Sequence, residues 1–426
     1  MTKSKTVSKV LLSKLTLFVA LSMLAAQSWA LSPTVAKLVE YETKANAVST
    51  RSNEPFKIEN YEIPTRLLQM DVADRLSPKI RKTLIFKKNG QEYIRWIINP
   101  EDTLWYKDVE KFLKANQISA KRHHYFTGYM TASRSYIVES PNGVQFSAKV
   151  STNRTGGNWM DKKQTWDDAK QVRMAADFVD GELRKNPMQN AVVMDEPAGF
   201  GIEDIDQAML IRDLGNLPQG TNYYLPGFSA VFETTGKEIA AENGSNLPQV
   251  FWNHNYNRPL ARALAEFAAR TGLTFDSPHS QNFLIELDQN MKPTGRIVIR
   301  DFGDSYALKE WFVAKGKTDF LANWEDDNIL SGNLHVSIGI LHGNTFPTWM
   351  NDTQYNVWGN DFYGAFEDEY SSETGIPKKQ LAEELSRSGR YFSKDYPDYT
   401  PGWKRFLRSL TSGDSVCESQ LIKETQ

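Results

Sequence analysis

The chain is nearly without cysteine: one residue in 426, Cys417, close to the C-terminus. A single thiol makes no intramolecular disulfide and no cysteine-rich metal site. Cys417 is either a spare tail thiol or one half of an intermolecular bridge. Histidine is almost as scarce, with six in the chain, and none falls in an H-E-x-x-H arrangement. His123 and His124 precede "YFTGYM", and His335 and His342 flank an apolar run at a separation that matches no zinc spacing. These four read as packing or surface residues. There is no G-x-S-x-G, no Walker A, no Rossmann fingerprint and no internal repeat. An excess of one charge is missing too: 50 Lys and Arg against 52 Asp and Glu leave a formal charge of -2. That balance argues against non-specific nucleic-acid binding.

Long apolar runs are absent after the first thirty residues, so no later stretch is predicted to cross a membrane. The start itself has the layout of a secretory signal. Lys3, Lys5, Lys9 and Lys14 precede "LTLFVALSMLAA", and "SWA" ends at Ala30 with small residues at both recognition positions. The expectation is a cleaved leader over 1–30 and an exported chain, periplasmic or secreted, with an uncleaved anchor as the alternative. Loss of the four leader lysines takes the formal charge from -2 to -6. With 40% hydrophobic and 12% aromatic residues, the remainder can bury a sizeable core without disulfides.

What is present falls into a pattern along the chain. Residues 31–64 read as a polar, irregular lead-in. Strand-like runs follow in "TLIFKKNGQEYIRWII", where Asn89-Gly90 is a hairpin signal, and in "SYIVESPNGVQFSAKV", where "SPNG" turns the chain. "TWDDAKQVRMAADFVDGELRK" places Val172, Ala175, Ala176, Val179 and Leu183 at helical spacing, with acids in its first turn and bases in its last. "NAVVMDEPAG" and "QAMLIRDLGN" read as a further strand pair. After Gly220 the character shifts toward helix: "RPLARALAEFAARTG" carries Leu260, Leu264, Phe267 and Ala268 on one face, with Gly272 at the C-cap. The aromatic stretch "FPTWMNDTQYNVWGNDFYGAF" either lines a pocket or packs helices together. The expected fold is α+β, with a mainly β lobe over 65–225 and a mainly α lobe over 226–426. A crevice between two such lobes is a natural ligand site.

"DSPHSQNFLIEL" and "GRIVIRDFGD" are two apolar strands with polar residues at their ends. If "DQNMKPTG" closes them into an antiparallel hairpin, Asn282 at the start of one lies beside Asp301 at the end of the other. Amide and carboxylate oxygens are ligands of the kind Mg²⁺ takes alongside substrate phosphates. The bland alternative is a pair of ordinary turns. Upstream, "FSAKVSTNRTGG" offers Lys149 and Arg154 as charge for a triphosphate, and Ser147, Thr152 and the glycines as close donors. A solvated edge strand is the alternative there. Arg212 is a second phosphate or carboxylate candidate, with a surface salt bridge as its alternative. Glu182 either pairs with Lys149 or ends a solvated helix.

The order H-x-x-N, strand, loop, strand, D-F-G resembles the magnesium apparatus of the broad kinase-like fold. No Asp follows His279 in its loop, so the base of a protein kinase is missing. "GLTFDSPHSQNFLIELDQNMKPTGRIVIRDFGD" resembles more specifically the siderophore synthetases that work independently of peptide synthetases, the aerobactin-synthetase type. The likeness is strongest from Arg258 to Asp304 and extends weakly back to Ser147. Asp276-Ser-Pro stands where that family has Glu before its "A-H", and the family's N-terminal substrate-binding region is not found. The resemblance implies a two-lobed, kinase-like fold and a site for ATP and Mg²⁺. Asn282 and Asp301 would hold the metal. Ser147, Lys149, Thr152, Arg154, Arg212, His279 and Gln281 would hold the nucleotide, with His279 and Arg154 at the reacting groups. It implies adenylation of a carboxylic acid, then attack by an amine or hydroxyl. An exported, non-catalytic binding protein and a kinase-like protein-modifying enzyme are the other readings.

Overall fold

The structure is a computed structural model that describes residues 31–44, 54–131, 134–154, 161–214, 222–275, 280–331 and 347–381. The predicted leader, His279, His335, His342 and Cys417 lie outside them. Ahead of the Trp166–Lys185 helix lie seven strands: β1 (Phe56–Pro64), β2 (Gln69–Val72), β3 (Ile85–Lys88), β4 (Gln91–Ile97), β5 (His123–Met130), β6 (Ser135–Glu139) and β7 (Gln145–Val150). After the Trp166–Lys185 helix come β8 (Ala191–Val193), β9 (Ala198–Ile202), β10 (Gln207–Arg212) and β11 (Tyr223–Pro226). The Arg258–Thr271 helix precedes β12 (Leu273–Thr274), β13 (Phe283–Leu287), β14 (Pro293–Ile299), β15 (Tyr306–Leu308) and β16 (Ile329–Leu330). The fold is mixed α+β.

Nine strands form one antiparallel sheet in the order β2-β9-β10-β7-β6-β5-β1-β4-β3. Its hairpins follow the turn chemistry of the sequence. Asn89 and Gly90 both take positive φ, 52° and 78°, the conformation a two-residue type I′ turn requires between β3 and β4. The β3 run begins later than its composition suggests, because Pro78 opens a helix that continues through Leu84. Central strand β10 is buried along its whole length. Met209 and Ile211 face a core with Phe126 and Phe146, while Ala208 and Leu210 face the Trp166–Lys185 helix through Trp166, Ala169 and Val172. That helix starts where the sequence predicts, with the Thr165 hydroxyl accepting from the Asp168 N–H at 3.0 Å. Gly201 lets it sit down on the sheet, since a Cβ there would stand 2.3 Å from the Trp166 ring.

The second sheet, in the order β11-β13-β14-β8, carries the site hairpin. β13 and β14 pair antiparallel from Phe283↔Ile299, as expected. Phe283, Ile285, Ile297 and Ile299 join the core around the Arg258–Thr271 helix, and Leu284 and Val298 join a second core on the opposite face. With both faces covered, the strands read as continuous apolar runs instead of alternating ones. The Arg258–Thr271 helix ends at Gly272, with φ 69°, whose N–H donates to the Ala268 carbonyl at 2.8 Å.

Two expectations need correction. The lead-in is not irregular: Pro33–Lys44 is a helix, and Val35, Leu38 and Val39 on it are buried against Tyr224, Leu284 and Val298. Their spacing fits one helical face, and the polar residues between them masked it. Phe56–Pro64 is an interior strand of the large sheet, between β5 and β4. The strand pair read into "NAVVMDEPAG" and "QAMLIRDLGN" is also different. β10 pairs with β9, whereas β8 leaves for the second sheet and runs parallel to β14. The aromatic segment forms the Asp352–Thr374 helix, and its Trp358, Phe362, Phe366 and Tyr370 pack into the core with the Arg258–Thr271 helix. Packing is the reading that holds for these described residues.

Candidate anion and metal site

The site begins at the turn after β14. Asp301 takes the left-handed conformation, φ 69° and ψ 70°, which costs a side-chain-bearing residue energy and is tolerated best by Asp and Asn. Its neighbours hold it there. Phe302 is buried and stacks on Phe267 at 6.2 Å, and the Phe302 N–H donates to the Glu196 carboxylate at 3.1 Å. A Cβ on Gly303 would stand 3.0 Å from Val172 of the Trp166–Lys185 helix. Arg300, on the other side of Asp301, donates to the Gln281 carbonyl at 2.9 Å and 2.7 Å and to Glu42 at 2.6 Å. Glu42 belongs to the first helix and is fully buried.

Opposite this turn lies one face of the large sheet. Register places Ser147 beside Arg212 and Lys149 beside Leu210, so Ser147, Lys149 and Arg212 share a face. The Lys149 Nζ lies 2.7 Å from one Asp301 oxygen and an Arg212 nitrogen 3.0 Å from the other. Arg212 is held in turn by Glu196 at 2.8 Å. Burial works against the Asp301 carboxylate, but Lys149, Arg212 and Arg134 outweigh it and hold its pKa far below the usual range. Burial likewise opposes the charge of Arg212, and Glu196 and Asp301 reverse the effect and raise its pKa.

Asn282 is buried at the start of β13, where its carbonyl accepts the Arg300 N–H at 3.0 Å. Its side-chain amide donates to Asp304 at 2.7 Å. Asp304 is exposed to solvent, although much of the protein is packed within reach of its carboxyl. That surrounding, together with the charge on Asp301, raises its pKa. Two more cations lie near the two acids. Arg134 donates to the Lys163 carbonyl at 2.7 Å, and Lys162 bonds its backbone to Thr152 in both directions. Burial lowers the pKa of both, and for Lys162 the charge of Arg134 adds to it. Four cations thus gather around Asp301, Asp304 and Glu196, and a surplus of positive charge attracts anions.

The structure therefore brings together Ser147, Lys149, Arg212, Asn282 and Asp301. Gln281 contributes its backbone carbonyl to Arg300. Thr152 is fully buried at the base of a two-stranded turn, and the exposed Arg154 follows it, with its N–H bonded to the Thr152 hydroxyl at 3.1 Å. The glycines after Arg154 and the imidazole of His279 lie outside the described residues. Glu182 does not pair with Lys149; it holds Lys317 at 2.9 Å and Lys185 at 3.0 Å. The surface-salt-bridge reading of Arg212 is also overturned, because Arg212 is buried and paired twice. Sequence reasoning missed Glu196, Arg134, Lys162 and Asp304. Asp304 could have been found, since it stands in the same "DFGD"; nothing local marks the other three.

Among the described residues no group of three or more His, Cys, Asp or Glu side chains could hold a metal unaided. Mg²⁺ bound with nucleotide needs fewer protein ligands, because phosphates and waters complete its shell. Asp301, Asp304 and Asn282 fit that smaller demand.

Comparison with known proteins matches the fold of the chain to solved structures. The petrobactin biosynthesis protein AsbB from Bacillus anthracis str. Sterne superposes with a TM-score of 0.53 at 10% identity. The match covers 87% of this chain and 70% of AsbB. Aerobactin synthetase IucC from a hypervirulent pathotype of Klebsiella pneumoniae superposes with a TM-score of 0.50 at 10% identity, over 80% of this chain and 65% of that one. The chain has the siderophore-synthetase fold. It spans about two thirds of the length of these synthetases. No family model matches the chain, and no curated protein matches its sequence.

Proposed function

We propose that the chain is an ATP-dependent ligase that joins a carboxylic acid to an amine or hydroxyl through an acyl-adenylate. The observation that carries this reading is the Asp301 carboxylate set between Lys149 and Arg212 on one face of the large sheet, with Asp304 beside it. The siderophore-synthetase fold supports it. In this reading Lys149, Arg212, Arg134 and Lys162 take the phosphates, and Asp301, Asp304 and Asn282 hold Mg²⁺, which neutralises phosphate charge when bound. A substrate carboxylate oxygen attacks the α-phosphorus and pyrophosphate leaves. The amine nitrogen or hydroxyl oxygen then attacks the acyl carbon, AMP leaves, and the proton passes to solvent. The protein's part is positioning and charge compensation, which suits a site without a strong base. His279 and Arg154 would stand at the reacting groups. The two-lobed, kinase-like division at about residue 225 and export behind a cleaved leader belong to the same proposal.

One observation favours a second reading. Both oxygens of Asp301 are already engaged by cations, an arrangement that needs no metal. An exported protein that captures a carboxylate-rich anion without turnover would use the same site.

Thermal unfolding of the chain from Leu31, with ATP and Mg²⁺ together and each alone, separates the two. Nucleotide at 100 times its dissociation constant stabilises the native state by about 2.7 kcal/mol. A shift that needs both ligands and shrinks in Asp301→Asn is the expected result, followed by pyrophosphate release with a panel of carboxylic acids. No shift at millimolar ATP, with a shift from citrate alone, overturns the ligase and leaves the binding protein.

A further inference from the structure

The turn that leads into β13 lies beside a tyrosine for which the site as described has no use. Tyr256 is fully buried, yet its hydroxyl has no hydrogen-bond partner. A buried hydroxyl left unpaired costs stability that a phenylalanine in its place would not. Burial raises the Tyr256 pKa and no charge among the described residues counters it, so the phenol stays protonated and is a donor.

The hydroxyl lies against Gly227, where a Cβ would strike it and would also stand 2.8 Å from the Ser280 carbonyl oxygen. The phenol and that carbonyl therefore crowd the same spot. The Ser280 carbonyl accepts the Phe228 N–H at 3.3 Å, a long bond for an amide donor, and a carbonyl oxygen has two lone pairs. An unpaired donor thus stands next to an acceptor without being joined to it.

The donor is fastened in place. Tyr256 sits in a π-helical turn, Asn253–Asn257, and such turns recur at functional sites. Asn257 donates to the Trp358 carbonyl at 2.7 Å and to the Asn253 Oδ1 at 2.8 Å, and Arg258 holds Asp361 at 2.8 Å. These bonds tie the turn to the Asp352–Thr374 helix. The acceptor is part of the site: Ser280 is two residues before Asn282, and the Gln281 carbonyl between them is held by Arg300.

We propose that Tyr256 is a positioning residue for Asn282. In the nucleotide-bound state the Ser280 carbonyl accepts from the Tyr256 hydroxyl, and this bond fixes the short piece of chain that carries the Asn282 amide. The inference rests on the nucleotide reading above. A bond made only in the bound state favours that state over the free one.

The test is Tyr256→Phe in the chain from Leu31, with thermal unfolding of the free protein and calorimetric titration of ATP in the presence of Mg²⁺. The expected result is a free-protein Tm equal to or above that of the wild type, because the lost hydroxyl was unpaired. Alongside it, the Kd for ATP with Mg²⁺ rises roughly threefold to tenfold, the worth of one hydrogen bond. A tyrosine with a merely structural role would lower the Tm and leave the Kd alone. A clearly lower Tm in the free variant overturns the proposal, since the hydroxyl would then already be bonded. An unchanged Kd beside a wild type that binds overturns it as well and leaves the nucleotide reading standing. A wild type that does not bind ATP with Mg²⁺ overturns both.

Discussion

Asn282, Asp301 and Asp304 come from one hairpin and its following turn, with 22 positions between the outermost pair. The cations that face them come from the large sheet, and Lys149 stands 152 positions from the carboxylate it holds. The hairpin side is thus built by local pairing and the sheet side by long-range packing. The two sides also differ in electrostatics. Asp301, matched by the sheet's cations, is held ionised, whereas Asp304, three residues on and hydrogen-bonded to the neutral Asn282 amide, is pushed toward its protonated form by burial and by the charge on Asp301. The charge of each acid is set by its burial and by whether a cation of the sheet reaches it.

Breaking the support of the hairpin side should have the largest effect. Glu42→Ala leaves the buried Arg300 without its carboxylate, and loss of one partner of a buried pair costs about 3–5 kcal/mol. Denaturant unfolding should show the midpoint fall with little change in slope. An unchanged midpoint would mean that the first helix does not anchor the turn. On the sheet side, Gly201→Ala drives a methyl into the Trp166 ring and should cost about 1–3 kcal/mol. Thr165→Ala removes the cap of the same helix and should cost about 1 kcal/mol, read in the same way.

The smallest effect has the opposite sign. Asp304 binds its proton more tightly folded than unfolded. The folded state therefore loses stability as pH climbs from the ordinary carboxylate range to the raised value. Asp304→Asn removes that loss and should raise Tm slightly at neutral pH, while abolishing any response to Mg²⁺ with ATP. Asp301, with its lowered pKa, contributes stability above the ordinary carboxylate range that is lost as pH falls through its folded pKa. A pH series of melting curves on Asp301→Asn and Asp304→Asn should show the two slopes flatten in opposite senses. Equal behaviour would erase the distinction between the two acids.

The difference between the sides also explains what could be read from the sequence. The hairpin, the Asn89-Gly90 turn, the Thr165 cap and the Gly272 cap are set by neighbours, so their residues announce them. Asn282 and Asp301 were legible because strand ends at that spacing must meet. Glu196 was not, because a buried acid in "DEPAG" resembles a turn until Arg212 and Phe302 come against it. Glu182 misled for the complementary reason: a helix places a residue on a face but does not choose its partner. Pro33–Lys44 was missed because its charged face dominates its composition, while its few apolar residues do the packing.

The parallel pairing of β8 with β14 has a consequence for how the chain acquires its shape. Residues 191–193 lie next to residues 297–299, and the Pro33–Lys44 helix closes over the same sheet. A ribosome releases the first helix and β8 long before the hairpin that they contact. These early segments must wait with apolar surface uncovered, and contacts of such long sequence separation form slowly. Cutting the gene near residue 225 would give two polypeptides, each lacking part of that sheet. Mixed together, they should complement each other; alone, neither should hold the hairpin in place.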